Sequence, residues 1–361
     1  MQKDRLEFLK NLMAAWCPSG FEEEAQEVVR RRLAGHCDEL QTDVHGNVMA
    51  GVNTTAALRV MLAGHVDEIG LMVSHVDENG YLFFQTIGGF DPVVLAGQRV
   101  VVHGAKGPVQ GVIGRKAIHL LTDEERKSPL KIDDMFIDIG AKTGDEARKR
   151  VRVTDPVTLD VELKHLLNDL VASRGFDDRI GSFVVVETLV ALAKRRPKVA
   201  VWAVSTVQEE VGLRGARTSA YGLDPHVGLA VDVGFASDYP SGDKDKRKLG
   251  DVRLGGGPIL CRGPNINPRV ADGLEKTAKA RKIPCQFQAA PGATGTDANA
   301  IQVSRSGVAT ALVSVPNRYM HTPVEVLSLN DADSTIRLLV EYILTLKPTD
   351  TFVPGISKAG K

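Results

Sequence analysis

The chain lacks an excess of charge of either sign, has few aromatic residues and contains no long hydrophobic run. Its 361 residues include 45 Lys and Arg against 45 Asp and Glu, and aromatic residues make up 5% of the total. A balanced charge gives no overall attraction to nucleic acid or to an acidic membrane surface, because both need a basic face. The apolar stretches, such as residues 183–190, are well short of the ~20 residues that a transmembrane helix needs. We therefore expect no nucleic-acid partner and no membrane span.

Cysteine is also scarce. The four cysteines, Cys17, Cys37, Cys261 and Cys285, form no CxxC pair, and a chain of this length does not need disulfides for stability. The N-terminal segment MQKDRLEFLK places charges among its apolar residues, so it lacks the continuous apolar core of a secretory signal. We expect free thiols and a cytoplasmic protein.

The pattern along the chain predicts an α/β fold with a β-rich insertion. The length suggests about two domains. Between residues 69 and 163, short alternating or β-branched runs are separated by Gly, Pro and Asp turns, about every 8–12 residues, which is typical of a small β-barrel or sandwich. On either side, apolar strands alternate with helical patterns, which predicts a mainly parallel sheet with helices on both faces. The predicted domains are therefore residues 1–68 with 164–361, and the inserted 69–163.

Hydrophobic periodicity predicts the elements of the larger domain individually. Helices are predicted as a pair within residues 4–33 and then at 180–194, 213–221, 267–281, 298–305 and 332–346. Strands are predicted at 47–52, 58–63, 199–207, 227–233 and 310–315. The charged run at 243–248 is mixed in sign and is predicted as a solvated loop. The tail at 349–361 lacks periodicity, and we expect it to fray or to lie over the surface.

Acidic and imidazole residues follow four of the predicted strands. In an open α/β sheet, the ligand crevice lies beyond the carboxyl ends of the strands. The residues that would meet there are His65, Asp67, Glu68, Glu209, Glu210, Asp232 and His321, together with the Asp177–Asp178 pair that precedes the helix at 180–194. The other seven histidines lack this combination of a strand end and acidic neighbours, and we interpret them as structural.

The composition of this set indicates a metal site. A single carboxylate after a strand is more often a helix N-cap, and a single histidine is more often structural. Two imidazoles and three or four carboxylates in one crevice would repel and desolvate one another without a cation between them. Mixed imidazole and carboxylate ligands without a thiolate suit zinc, cobalt or manganese, and five ligands with one bridging carboxylate can hold two ions.

The adjacent Glu209 and Glu210 suggest that the two side chains have different roles. Neighbouring side chains that leave a strand point in different directions. We assign Glu210 to metal binding and Glu209 to the role of general base, which accepts a proton from a metal-activated water and passes it to the leaving amine. The simpler alternative for Glu209 is a charge at a helix N-terminus. The adjacency also argues against glycoside hydrolysis, which needs two carboxyl groups facing each other across about 5–9.5 Å.

Six segments in this order resemble one known family. They are AGHVDEIGLMV, GFDDRIG, STVQEEVGLRGA, AVDVG, GTDA and RYMHTPVEV, and IGGFDPVVLAGQRV in the insertion extends the match. The chain resembles the M42 metallo-aminopeptidases, the tetrahedral and glutamyl aminopeptidase group, whose members have sometimes been labelled endoglucanases. The resemblance implies a zinc-exopeptidase-like catalytic domain and hydrolysis of the N-terminal residue of short peptides through a metal-activated bridging water.

The resemblance also implies roles for individual residues. Five positions would bind two divalent ions per subunit, with zinc or cobalt favoured over manganese: His65, Asp177, Glu210, Asp232 and His321. Asp177 would bridge the ions, and spacing alone does not decide between it and Asp178. Asp67 would act in catalysis by holding the imidazole of His65, and Glu209 would be the catalytic base.

Three further residues are candidates to line the substrate pocket: Thr296, Asp297 and Arg318. The Thr296–Asp297 pair equally fits the N-terminus of the helix that follows. The resemblance implies that the inserted domain mediates dimer contacts, and that dimers assemble into twelve-subunit tetrahedra.

Two alternatives compete with a two-metal aminopeptidase. One is a metal-dependent deacylase or carboxypeptidase on a similar α/β core, which would act on N-acyl amino acids. The other is a catalytically silent assembly or peptide-binding protein, which would keep the fold and lack the reaction.

Overall fold

A mixed α/β sheet and a closed β-barrel make up the fold of the chain, which a computed structural model describes over residues 1–355. The strands are β1 Glu39–Thr42, β2 Val48–Val52, β3 Arg59–His65, β4 Gly70–Val76, β5 Leu82–Ile87, β6 Arg99–Gly104, β7 Gly107–Arg115, β8 Met135–Asp138, β9 Pro156–Leu159, β10 Lys164–His165, β11 Leu170–Ser173, β12 Ala200–Thr206, β13 Val227–Phe235, β14 Ile259–Arg262, β15 Gln286–Ala289, β16 Ala309–Asn317 and β17 Glu325–Ser328. The predicted fold class is confirmed.

Helices cover both faces of the sheet and the loops of the barrel. The α-helices are α1 Lys3–Ala14, α2 Glu23–Leu33, α3 Asp123–Lys127, α4 Gly144–Arg148, α5 Phe176–Arg195, α6 Arg214–Leu223, α7 Asp243–Leu249, α8 Pro268–Arg281, α9 Asp297–Gln302 and α10 Leu329–Ile343. Short 3-10 helices lie at Pro92–Val94, Ile118–Leu120 and Ile132–Asp134. No helix within residues 1–355 is long and apolar enough to cross a membrane.

The central sheet has the strand order β1-β2-β12-β3-β13-β16-β14-β15. Its middle strands, β12, β3, β13 and β16, are parallel to one another. These strands are almost wholly buried and rich in Val, Ala and Leu, as expected for a sheet covered on both faces. Parallel pairing brings their carboxyl ends to one edge, where the acidic and imidazole residues of the sequence lie.

The helix α5 is the central element of the helical layer. It packs on β3, β12 and β13 and is buried on all sides along most of its length, which requires apolar residues around its whole circumference. Gly64 allows β3 to approach α5 closely, because a Cβ on Gly64 would lie 2.4 Å from the carbonyl carbon of Gly181. This contact brings the next residue, His65, to the N-terminal end of α5, where its backbone N–H donates to Asp178 at 3.2 Å.

The insertion folds as a closed antiparallel barrel with the order β4-β5-β8-β7-β6-β9. Its separate core contains Leu71, Val100, Ile113 and Ile137, all almost fully buried. Closure leaves no free strand edges within the barrel. A small antiparallel sheet, β10-β11-β17, follows the barrel. In it, β11 pairs with β17, the strand that leads directly into α10.

Most predicted helices and strands of the larger domain are present with shifted ends, but the charged run at 243–248 is not a loop. It forms α7, with acidic residues in its first turn and basic residues in its last turn, which suits the helix dipole. Lys246 and Asp243 form an ion pair at 2.9 Å one turn apart. Of the tail, Thr351 and Phe352 accept hydrogen bonds from the start of α8 through their carbonyls, and residues 356–361 lie outside the described part of the chain.

A buried ion cluster connects the N-terminal helix to the edge of the sheet where the parallel strands end. Glu68 pairs with Arg174 and, at 3.1 Å, with Arg179. Arg179 is fully buried and donates to the carbonyls of Met13 and Ala15 at 3.0 and 2.8 Å, just where α1 ends. The guanidinium therefore satisfies carbonyls at a helix C-terminus and neutralises a buried carboxylate at the same time.

Replacing Arg179 with methionine should destabilise the protein strongly. Arg179→Met keeps most of the volume but leaves several buried acceptors without donors, so we expect a loss of about 3–5 kcal/mol in the free energy of unfolding, measured by urea denaturation. The matched control is Arg196→Met, which removes an exposed ion pair with Asp38 and should cost less than about 1 kcal/mol. Equal losses for the two variants would contradict this role of Arg179.

Candidate metal centre

His65 stands at the end of β3 with one ring nitrogen fixed and the other available. Its Nδ1 is 3.0 Å from the carbonyl oxygen of Asp67, and because a carbonyl can only accept, Nδ1 carries the proton. The carboxylate of Asp67 lies 3.4 Å from the same nitrogen. Nε2 is therefore the ring nitrogen that is left to bind a cation. It lies 3.3 Å from Oδ1 of Asp177.

His321 is held in the same way by a different domain. Its Nδ1 donates to the carbonyl oxygen of Gly89 at 3.0 Å, and Gly89 lies in the barrel connection that follows β5. Its Nε2 lies 3.2 Å from Oδ2 of Asp177 and 3.5 Å from Oε1 of Glu210. The ring therefore presents Nε2 to the carboxylates, and its orientation depends on the position of the barrel.

Asp177 and Asp178, adjacent at the start of α5, have different surroundings. One carboxylate oxygen of Asp177 faces each imidazole, which is the arrangement of a bridging ligand. Asp178 is fully buried and accepts hydrogen bonds from the backbone N–H groups of His65 and Gly181, at 3.2 and 3.0 Å. Potential ligand atoms form two groups, and within each group all the atoms lie within 4.8 Å of one another. One group is His65, Asp177 and Glu210, and the other is His65, Asp178 and Asp232.

The carboxylate of Asp67 holds the loop that carries the glutamate pair. Its Oδ1 accepts from the backbone N–H of Glu209 at 3.0 Å, and its Oδ2 accepts from that of Glu210 at 3.2 Å. Ser19, in the turn after α1, donates its hydroxyl to Oδ2 at 2.6 Å. Asp67 thus positions the imidazole of His65 and both glutamates together. Sequence reasoning missed Ser19, because it lies far from the motifs.

Glu209 and Glu210 point to different parts of the site, as their adjacency predicted. Oε2 of Glu209 lies 3.8 Å from Nε2 of His65. Oε1 of Glu210 is buried and receives no hydrogen bond from any residue within 1–355. Asp232, in β13, lines the same cavity as the two glutamates. The Oε1 atom of Glu210 is buried, has no hydrogen-bond donor within 1–355 and lies close to two imidazole nitrogens. A divalent cation would provide the missing partner.

The pKa values show how unfavourable this concentration of negative charge is without a cation. Burial, followed by the charges of Asp232 and Asp297, raises the pKa of Glu209 to about 10, against the opposing effect of His65. Burial and the charge of Asp177 raise the pKa of Asp232 far above its usual range. The carboxylates of Asp177 and Glu210 raise the pKa of His321 to about 11. Without a cation, bound protons on these carboxylates and on His321 therefore offset the negative charge.

Glu325 is a second residue that the motifs did not single out. It begins β17, four residues after His321, and is almost fully buried. Its carboxylate accepts from the backbone N–H groups of Asp177, at 2.9 Å, and His321, at 3.0 Å. Burial and the charge of Asp177 raise its pKa to about 8. One carboxylate thus fixes the distance between two candidate ligands on separate loops.

The three candidate pocket residues lie in different places. Thr296 lines the cavity and also caps α9 by accepting from the backbone N–H of Ala298 at 3.3 Å. Asp297 is buried behind it and accepts from the hydroxyl of Thr206 at 2.5 Å. Arg318 is outside the lining and binds both carboxylate oxygens of Asp238, at 2.7 and 2.6 Å.

Comparison with known proteins places this geometry in a family. The sequence profile of the M42 glutamyl aminopeptidases matches residues 46–338. The chain belongs to the M42 family of aminopeptidases. The lysyl aminopeptidase of Pyrococcus furiosus is 37% identical over 351 residues, which are 96% of this chain and 99% of that protein.

Solved structures of M42 proteins share the whole fold. The TET aminopeptidase of a marine-sediment thaumarchaeon superposes with a TM-score of 0.91 at 37% identity, over 96% of this chain and 98% of that one. The TET1 peptidase of Pyrococcus horikoshii, which can assemble into a tetrahedron or a large octahedral shell, superposes with a TM-score of 0.83 at 31% identity, over 95% of this chain and 100% of that one.

The buried carboxylates predict a pH dependence for the stability of the metal-free protein. The folded-state pKa values of Glu209, about 10, and Glu325, about 8, lie above the ~4.3 of an unfolded glutamate. The folded chain thus holds protons that the unfolded chain releases, and this stabilisation is lost as pH rises through the folded-state pKa values. His321, with a pKa of about 11, acts with the same sign above its unfolded value of ~6.5.

We therefore expect the Tm of the chelator-treated protein to fall between about pH 6 and pH 9. Added divalent zinc or cobalt should reduce this fall, because a bound cation replaces the protons that the site releases. Differential scanning fluorimetry with and without metal measures both effects. A Tm of the chelated protein that rises over this range would contradict the proposed electrostatics.

Proposed function

We propose that this protein is a dinuclear metal-dependent aminopeptidase, which removes the N-terminal residue from short peptides. The observation that carries the proposal is the position of Asp177, with one carboxylate oxygen directed at Nε2 of each of two imidazoles whose Nδ1 atoms are held by carbonyl oxygens. This arrangement supports Asp177, rather than Asp178, as the bridge between two cations. Asp178 already uses both oxygens on backbone N–H groups.

The proposed ligands form two overlapping sets. His65 and Asp232 would hold one ion, Glu210 and His321 would hold the other, and Asp177 would belong to both. The set contains only imidazole and carboxylate donors, which suits zinc or cobalt, with manganese as a further option. The ions would supply Lewis acidity, which polarises the scissile carbonyl and lowers the pKa of water.

Glu209 is the proposed general base. Its side chain reaches the ligand cluster, at 3.8 Å from Nε2 of His65, without being bonded to either histidine. From this position it takes a proton from the attacking water and delivers it to the leaving amine. The backbone of Glu209 is held by Asp67, so the carboxylate that orients His65 also sets the position of the base. Asp67 therefore contributes to catalysis by positioning.

Exopeptidase action is supported by the size and charge of the cavity at the site. The cavity encloses about 220 Å³, less than the ~300 Å³ at the lower end of drug-sized ligand pockets, and therefore suits a single residue. Carboxylates on its floor favour a substrate with a free, positively charged α-amino group. Thr296 is the proposed wall residue, and Asp297 supports it from behind. Arg318, which is bound to Asp238, lies outside the lining of the cavity.

We also propose that the protein is a homo-oligomer built from dimers, with residues 69–163 as the dimerisation domain. The barrel exposes apolar side chains, among them Val93, Ile118 and Leu120, each more than half exposed. Exposed apolar residues of this kind favour protein contacts. A relative of known structure assembles into a tetrahedron or an octahedral shell, which supports a twelve-subunit shell for this chain. A cytoplasmic location stays a prediction from the sequence.

Hydrolysis of aminoacyl-p-nitroanilides tests the proposed reaction. Chelator-stripped protein should be inactive, and zinc, cobalt or manganese should restore the release of p-nitroaniline, because the carboxylate cluster needs cations to act. N-acetylated versions of the same substrates should not be cleaved, since they lack the free α-amino group. Cleavage of the N-acetylated substrates alone would instead favour a deacylase. Silence of the metal-loaded protein towards all substrates would favour a non-catalytic role.

The adjacent glutamates provide a matched pair of variants. Glu209→Gln should lower kcat by about 10²–10⁴-fold, because it removes the general base, and should leave the metal content unchanged. Glu210→Gln should lower the metal content by one ion per subunit, because it removes a ligand. Elemental analysis and kinetics on the same preparations separate the two roles. Wild-type kcat in Glu209→Gln, or full metal content in Glu210→Gln, would refute the corresponding assignment.

A further inference from the structure

We infer that the N-terminal residue this enzyme removes carries a neutral, apolar side chain, and that Phe235 and Met320 select it. The inference rests on the proposed aminopeptidase function and names the substrate class of the same cavity. It comes from the residues that line the cavity apart from the candidate metal ligands and the base.

The walls of the cavity are uncharged. Besides the acidic and imidazole cluster, the lining consists of Val233, Phe235, Thr294, Gly295, Thr296 and Met320. Phe235 ends β13 with about half of its surface exposed, and Met320 is partly exposed beside His321. Exposed apolar surface facing a small cavity gains most from contact with an apolar side chain of the substrate, because both surfaces leave water together.

The cavity offers no cation for an acidic substrate side chain. Within residues 1–355, no lysine or arginine lines it. Arg318 lies two residues from Met320 in the chain. Its Nε and one terminal nitrogen donate to the two carboxylate oxygens of Asp238. Arg174 is paired with Glu68 and lines a second space of about 10 Å³, which shares Asp177, Glu210 and His321 with the cavity. This space holds about one water molecule. A glutamate side chain would therefore lose its hydration without gaining a partner.

The cavity offers no spare anion for a basic side chain either. The carboxylates that line it are Asp177, Glu209, Glu210 and Asp232, and all of them belong to the proposed ligand set or to the base. Their four negative charges would be taken up by the two proposed cations and by the α-amino group of the substrate, which leaves none for a basic side chain. Asp297 lies behind the wall, bonded to Thr206. A lysine or arginine side chain would thus find only the hydroxyl groups of Thr294 and Thr296.

The experiment is a comparison of kcat/KM for metal-loaded protein on p-nitroanilides of leucine, methionine and phenylalanine against those of glutamate, lysine and arginine. We expect the best apolar substrate to exceed every charged one by at least about tenfold, because the site leaves a charged side chain unpaired. As a readout independent of turnover, free L-leucine should raise the Tm of the protein more than free L-glutamate or L-lysine at the same concentration.

Two substitutions test the selecting residues. Phe235→Ala should lower kcat/KM for the leucine substrate by about tenfold and leave that for the alanine substrate nearly unchanged, since alanine does not reach the aromatic wall. Met320→Lys should raise kcat/KM for the glutamate substrate relative to the leucine substrate, because it supplies the missing cation. The control is Val303→Ala, at an exposed apolar residue outside the cavity, which should change neither preference.

The outcomes separate this inference from the function on which it rests. A preference for glutamate, lysine or arginine would overturn the inference and leave the aminopeptidase function standing. Silence towards every unblocked substrate would overturn both. An apolar preference that is unchanged in both Phe235→Ala and Met320→Lys would overturn the assignment of the selecting residues.

Discussion

Mutual repulsion among buried carboxylates at one edge of the central sheet is the constraint on which the rest of the structure depends. Asp177 and Glu210 lie within 4.8 Å of His65 and of each other, as do Asp178 and Asp232, and burial raises the pKa of Asp178, Glu210 and Asp232. Such a cluster persists in a folded protein only when positive charge offsets it and the scaffold holds it in place. The parallel strands supply the scaffold, because they end together at this edge.

The scaffold works through carboxylates that use two oxygens at once. Asp67 joins the loop after β3 to the loop after β12, and Glu325 joins the start of α5 to the loop after β16. Each connection crosses between segments that are distant in sequence. Neither carboxylate needs to touch a cation to decide where the ligands lie, which is the usual role of residues behind a metal site. The Glu68 cluster with Arg174 and Arg179 performs the same task one layer further out.

The local sequence pattern was sufficient to predict the helices and strands whose apolar residues recur regularly. The buried strands β3, β12, β13 and β16 read as continuous apolar runs, and their final residues could be grouped into one site because parallel strands share an edge. The helix α7 was missed because its sequence signal is the placement of acidic residues in the first turn and basic residues in the last turn, and not apolar periodicity. Ser19 and Glu325 were missed for another reason, since their partners are brought close only by the tertiary fold. Ser19 donates to the Asp67 carboxylate, and Glu325 accepts from the backbone N–H groups of Asp177 and His321. The resemblance to the M42 family implied the roles that spacing left open, and these roles stay proposals.

The hydrogen bond from His321 to the carbonyl of Gly89 has a consequence for how the two domains relate. The acceptor is a main-chain atom, so replacing Gly89 with another residue does not delete it, and only displacement of the whole connection after β5 does. The proposed metal site is therefore incomplete without the barrel. The inserted domain would form part of this site as well as a surface module, and an exchange of barrels between relatives would have to keep the carbonyl of Gly89 within hydrogen-bond distance of His321.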